Sequence, residues 1–256
     1  MGYKLNDFDV WFDDDEFIGT KVSFPSGSVW KLETKIREHA YQQHQRDCEE
    51  LGINSEARGV FCCSKVSGDG PPTAVIKIRL QIPWLKTTRK RSDFRAKQAV
   101  SEIPTNFSSE IEALSCLTKA RCSSTPSLFS YKVDKQSHEE WVPGGYKLYI
   151  LMEKLSGSDP SALFFSGQMS LAERDRLRSA FKAAWLETVR SGVVHTDDAM
   201  RNLIWDSEGN KCYLVDWEYW SRPSKKSVWV DRLYISWNLA QSGPSNDYFD
   251  MSDWVL

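Results

Sequence analysis

The stretch "SGVVHTDDAMRNLIWDSEGNKCYLVDWEYW", residues 191–220, decides how this chain is read. A short apolar run ends in His195, Thr196 and Asp197, and Asn202 follows within the same loop. "NLIWD" and "KCYLVDW" then read as two short strands about the turn "SEGN", with Asp216 at the end of the second. Asp197, Asn202 and Asp216 thus stand at the ends of segments that must be buried, and their polar heads are expected to converge at one edge. Burying such groups is costly unless hydrogen bonds or a cation compensate. Hard oxygen donors at this density suit magnesium, which is held by one or two carboxylates and completes its shell with water and substrate phosphates.

Working outward, Ser170 and Glu173 form a capping box for a long helix that carries Leu177, Phe181, Ala184 and Thr188 on one side and is closed by Gly192. "PSLFSYKVD" and "GYKLYILMEKL" read as strands. "NFSSEIEALSCLTKARC" places Ile111, Leu114 and Leu117 on one helical stripe, with Ser108 or Ser109 as the cap and Glu110 in the first turn. "GTKVSFPSGSVWKLE" predicts a hairpin turning at 25–27, followed by a polar helix over about 30–51. "RGVFCCSKV" and "TAVIKIRL" flank "SGDGPP" as a second hairpin, with Lys77 inside its apolar return strand. "SVWVDRLYISWNLA" suggests one more helix before a Gly, Pro and Asp-rich tail, and Trp217, Trp220 and Trp229 read as core aromatics. Strands dominate the first 155 residues and helices the rest. The expectation is an α+β chain with a β-rich N-lobe carrying an N-terminal extension at 1–155 and a reduced helical C-lobe at 156–256.

Composition narrows the partners. With 33 basic and 35 acidic residues the formal charge is −2, which argues against a nucleic-acid or membrane-surface binder. The six cysteines have no repeated spacing, and the N-terminus has no basic start followed by an apolar run, so a reduced, cytoplasmic setting is expected. No apolar run approaches the roughly 20 residues that span a bilayer, and Asn6 occupies the position where a myristoylation signal carries Ser or Thr. The basic segment "WLKTTRKRSDFRAKQAV", residues 84–100, reads as a solvated connection, with nuclear import or anion binding as the alternatives.

The motifs carry a family resemblance. "HTDDAMRN" resembles the HxDxxxxN catalytic loop of the protein-kinase-like superfamily, and "LVDWE" the metal-binding DFG position. "AVIK", ending at Lys77, looks like the VAIK strand, "EIEALSCL" like the helix whose glutamate pairs with that lysine, and "YILMEKLSGSD" like the last N-lobe strand and hinge. The DWE ending is closer to aminoglycoside phosphotransferases and choline kinases than to protein kinases. Forty residues follow Asp216, too few for a peptide-binding subdomain. "WVPGGY" and "RNLIWD" are similar to short fungal kinase-like proteins.

The resemblance implies a two-lobed phosphotransferase using ATP and Mg on a hydroxyl of a small molecule more than of a protein. It assigns Asp197 to the acceptor hydroxyl, with His195 tying the loop together. It assigns Lys77, Glu110, Met152, Glu153, Leu155, Asp159 and Ile204 to the nucleotide, Asn202 and Asp216 to the metal, and Glu218 or Arg201 as additional groups. The chain departs from the pattern in its phosphate loop, where "LGINSEARGVF" keeps only Gly52 and Gly59, and at Thr196, which stands in place of the HRD arginine. Two alternatives follow: a pseudokinase that binds a protein partner, or a kinase fold turned to ATP-independent acid/base chemistry on a metabolite.

Overall fold

The computed structural model describes residues 10–243 and Trp254, and the fold is α+β. The chain forms two compact units that are interleaved in sequence: Met1–Ile103 with Phe129–Lys154, and Pro104–Leu128 with Leu155–Leu256. Helix-forming residues 104–128, which the sequence reading assigns to the N-lobe, therefore group with the C-terminal part.

The first unit contains α1 (Asp14–Phe17), β1 (Lys21–Ser23), β2 (Val29–Tyr41), α2 (Gln45–Leu51), β3 (Glu56–Ser67), β4 (Thr73–Gln81), α3 (Ser92–Ala96), β5 (Leu128–Lys135) and β6 (Tyr146–Met152). One six-stranded sheet runs in the order β1-β2-β3-β4-β6-β5. Both expected hairpins form, with Val22 opposite Trp30 and Ser64 opposite Thr73 in antiparallel register. The polar helix expected over 30–51 does not: Val29–Tyr41 is a strand paired with β3, and only Gln45–Leu51 is helical. Past Leu32 this strand is largely solvated, so polar residues replace the apolar alternation that would have marked it.

Residues two apart share a face of a strand. On β4, Ala74, Ile76, Ile78 and Leu80 enter the apolar core with Trp30, Phe61 and the aromatics Phe12 and Trp11. Lys77, Arg79 and Gln81 lie on the other face and are nonetheless buried. There Arg79 donates to both oxygens of Glu56 at 2.7 and 2.9 Å, Arg58 Nε donates at 2.6 Å, and the Tyr146 hydroxyl donates at 2.9 Å. Burial alone would raise the Glu56 carboxyl, but the charges of Arg79 and Arg58 outweigh it and hold the group below its ordinary range. Lys77 sits between Val60 of β3 and Ile150 of β6.

The second unit contains α4 (Thr105–Lys119), α5 (Ser161–Phe165), α6 (Leu171–Arg190), β7 (Val194–His195), β8 (Leu203–Asp206), β9 (Lys211–Leu214), β10 (Trp220–Ser221) and α7 (Leu233–Ser236). The Ser170 hydroxyl accepts from Glu173 N, and Leu177, Phe181, Ala184 and Thr188 are buried, as the capping box and periodicity predict. Helix α4 begins earlier than expected, behind Pro104, so Glu110 lies in its second turn; the Ser109 hydroxyl does not cap the helix but donates to the Glu218 carbonyl at 3.0 Å. Proline fixes its φ near the helical value and tends to begin a helix. The last helix shrinks to Leu233–Ser236, and the Gly, Pro and Asp-rich tail from Pro244 lies outside the described residues apart from Trp254. No helix among the described residues is long and apolar enough to cross a membrane.

Candidate functional site

The site in the second unit is built from one continuous run. Helix α6 closes at Gly192, whose φ of 90° suits a residue without Cβ, and the chain enters β7, which pairs with β10 so that His195 faces Trp220. A single 3-10 turn, Met200–Asn202, leads into the β8–β9 hairpin, and the chain returns past the loop at residues 215–218. The two passes are bonded together: Val215 N donates to Asn202 O at 2.9 Å, and Thr196 N to Tyr219 O at 3.1 Å.

His195 is the pin between them. Its Nδ1 accepts from Asp197 N at 3.2 Å, so Nε2, 3.1 Å from Val215 O, carries the proton and donates. The ring packs against Trp217 and Trp237, with centroids 4.8 and 5.2 Å away. Burial pushes the imidazole pKa down, so the neutral tautomer is the one the fold selects. With both nitrogens engaged, His195 positions the loop.

Asp197 is half-buried and surrounded by donors. Arg201 reaches both of its oxygens at 2.8 Å, and Asn202 Nδ2 donates to its Oδ2 at 3.0 Å and to its carbonyl at 2.8 Å. Arg201, read in the sequence only as a possible extra group, is thus the counter-ion of the loop carboxylate. The i,i+4 spacing of the two residues was the available signal, since a tight turn brings such pairs together. Asn202 is 1% exposed, and its amide nitrogen bonds to Asp197.

Strand β9 ends at Leu214, and Asp216 lies beyond it with a φ of 65°, a left-handed conformation that a non-glycine residue adopts at a cost. The residue is turned out of the strand direction toward α4. Carboxylate oxygens of Glu110, Asp216 and Glu218 all lie within 4.8 Å of one another. Glu110 and Glu218 are buried, and Asn106 Nδ2 donates to Glu218 Oε2 at 3.0 Å. Three carboxylates so close repel unless protons or a cation intervene, and their hard oxygens match a divalent ion such as magnesium or calcium. Sequence reasoning named Asp216 for the metal, Glu218 as an addition and Glu110 for the nucleotide lysine; the structure brings these three together. Asn106, which braces Glu218, was missed, and no local pattern marks it because the contact depends on where α4 docks.

Other expected residues are spread along the chain. Lys77 is buried on β4 of the first unit, and Met152 ends β6 partly buried. Glu153 and Leu155 follow outside any helix or strand, also partly buried, and Ile204 lies on β8 opposite Tyr213. Asp159 is exposed, and its Oδ1 accepts from Ser161 N at 2.8 Å, at the start of α5. The glycines of "LGINSEARGVF" serve other ends. Gly52 closes α2 with φ 65°, and Gly59 lies within β3, where a Cβ would stand 2.7 Å from Phe61 and 3.0 Å from Phe12.

No protein-family model matches this chain, and no curated protein shows significant sequence similarity to it.

Proposed function

We propose that the chain is a kinase-like phosphotransferase that uses ATP and a divalent cation, magnesium in the first instance, to phosphorylate a hydroxyl of a small molecule. The observation that carries this reading is the bonding of the 195–202 loop to the 215–218 segment through His195 Nε2 to Val215 O and Val215 N to Asn202 O. That bonding holds Asp197 on a pass next to the one carrying Asp216 and Glu218, whose carboxylates meet that of Glu110 on α4. Lys77 adds support, since it lies on the third strand of the antiparallel run β2-β3-β4, where a kinase places its phosphate-contacting lysine.

On this reading Glu110, Asp216 and Glu218 would hold the cation, whose charge neutralises phosphate oxygens. Asn202 orients Asp197, Arg201 pairs with it, and Asp197 accepts or directs the acceptor hydroxyl's proton. The surrounding tryptophans keep His195 neutral and the loop fixed. The test is a screen of hydroxyl-bearing metabolites with ATP and magnesium, following phosphate transfer. Asp197→Asn should lower turnover about 100-fold or more while leaving the fold intact; equal turnover by the variant, or none of any kind by the wild type, counts against the reading.

Two observations favour a second reading, a nucleotide-independent binding module of the same fold. Arg201 occupies both oxygens of Asp197, and Gly59 serves the core rather than a phosphate loop. A binding module should keep its cellular role when Asp197→Ala is introduced, whereas an enzyme should lose it.

A further inference from the structure

The basic segment at 84–100 plays no part in the proposed chemistry, and its hydroxyls differ in how they are held. The Thr87 hydroxyl donates to Trp84 O at 2.8 Å and accepts from Gln98 at 3.0 Å, and Thr88 Oγ1 accepts from Gln42 at 3.2 Å. Ser92 is held differently, by a solvent-exposed bond in which its hydroxyl donates to His138 O at 3.0 Å, in the connection between β5 and β6. It follows three exposed cations, Arg89, Lys90 and Arg91; the Arg91 side chain is 89% exposed. It also opens α3, a helix of five residues that is cheap to unwind into the extended form an enzyme cleft requires. One turn further on, Arg95 has its Nε buried with no hydrogen-bond partner.

We propose that Ser92 is a phosphorylation site for a basophilic protein kinase, one that recognises cations immediately before the acceptor serine. In that step Ser92 Oγ forms a bond to the γ-phosphorus of ATP, the bond from that phosphorus to the oxygen bridging to ADP breaks, and the hydroxyl proton leaves to solvent. The product has a defined structural consequence. A phosphate ester has acceptor oxygens and no hydroxyl hydrogen on Oγ, so it cannot keep the bond to the His138 carbonyl, and two acceptors facing each other repel. Arg95, at i+3 on α3, has a buried Nε without a hydrogen-bond partner, and the exposed Arg89 and Arg91, the latter paired with Asp93, precede the serine. Phosphorylation therefore exchanges a tie between α3 and the β5–β6 connection for pairing within the basic segment itself. This inference does not depend on the proposed phosphotransfer activity.

The test is incubation of the full chain with ATP, magnesium and a basophilic serine/threonine kinase, followed by mapping of the modified residue by mass spectrometry and by amide hydrogen exchange. One phosphate on Ser92, absent in Ser92→Ala and reduced in Arg89→Ala, is the expected result, with faster exchange over residues 137–141 in the phosphorylated protein. An Arg95→Ala protein should still be modified but should exchange faster over 92–96 once phosphorylated. Modification at Thr87 or Thr88 instead, no modification, or unchanged exchange at 137–141 after modification of Ser92 would overturn the proposal.

Discussion

His195 shows how much one residue can fix. Its two ring nitrogens are used in opposite senses, accepting from Asp197 N and donating to Val215 O, and only the neutral ring with its proton on Nε2 satisfies both. Burial lowers its pKa, so between the unfolded value of about 6.5 and the lower folded one the unfolded chain takes up a proton that the native state refuses. The stability this residue contributes is complete above that unfolded value and is lost as pH falls below it. Nitrogen chemical shifts of the His195 ring should report the neutral Nε2–H tautomer at pH 6, where a free histidine is mostly protonated; an imidazolium signal there contradicts the assignment. Gly59 is a second such position. An alanine Cβ would press on Phe61 and Phe12, so Gly59→Ala should lose about 1–3 kcal/mol in urea denaturation, the usual cost of overpacking. The motif residues around His195 were legible because their spacing follows from chemistry. The purpose of Gly59 was not, because a glycine beneath an aromatic pair and a glycine beside a phosphate look alike in sequence.

At the scale of elements, β3 and β4 pair an apolar face with a buried ionic one. Glu56 receives Arg79, Arg58 and Tyr146 together, so removing one partner leaves buried charge uncompensated. Arg79→Met should cost about 3–5 kcal/mol at neutral pH. The pH dependence has a definite sign. The folded Glu56 carboxyl titrates below its ordinary value, so its contribution is present above about pH 4.3 and disappears as pH falls through the folded value. Urea midpoints measured from pH 6 down to pH 3 should therefore fall more steeply for the wild type than for Glu56→Gln. Hairpins with strong turn residues, the capping box of α6 and the buried side of that helix could be read directly. The strand β2 could not, since charged residues on a solvated strand carry no period-two apolar signal, and the start of α4 was displaced because proline outcompeted two serines as the helix boundary. The Glu56–Arg79 network had no local signature either, for its members are 23 residues apart and meet only through strand register.

For the whole molecule, the interleaving of the two units has a practical consequence. Helix α4 belongs with the C-terminal part, where Trp220 Nε1 donates to Ser109 O at 2.9 Å, Trp217 Nε1 donates to Thr125 at 2.8 Å, and Phe107, Ala113, Leu114 and Leu117 are buried. A fragment of residues 155–256 lacks all of this and should show no cooperative unfolding by circular dichroism, whereas a sigmoidal transition in that fragment contradicts the division. The α+β class was legible from the order of strands and helices. The grouping of α4 was not, because helix docking is decided by surfaces distant in sequence. The same docking gathers Glu110 with Asp216 and Glu218, the group to which the functional reading assigns the cation. Isothermal titration of ATP with magnesium into the full chain, beside Asp216→Asn, tests that reading most directly. The account predicts saturable binding by the wild type, weakened by about tenfold or more in the variant; no binding by the wild type, or equal affinity in the two proteins, contradicts it.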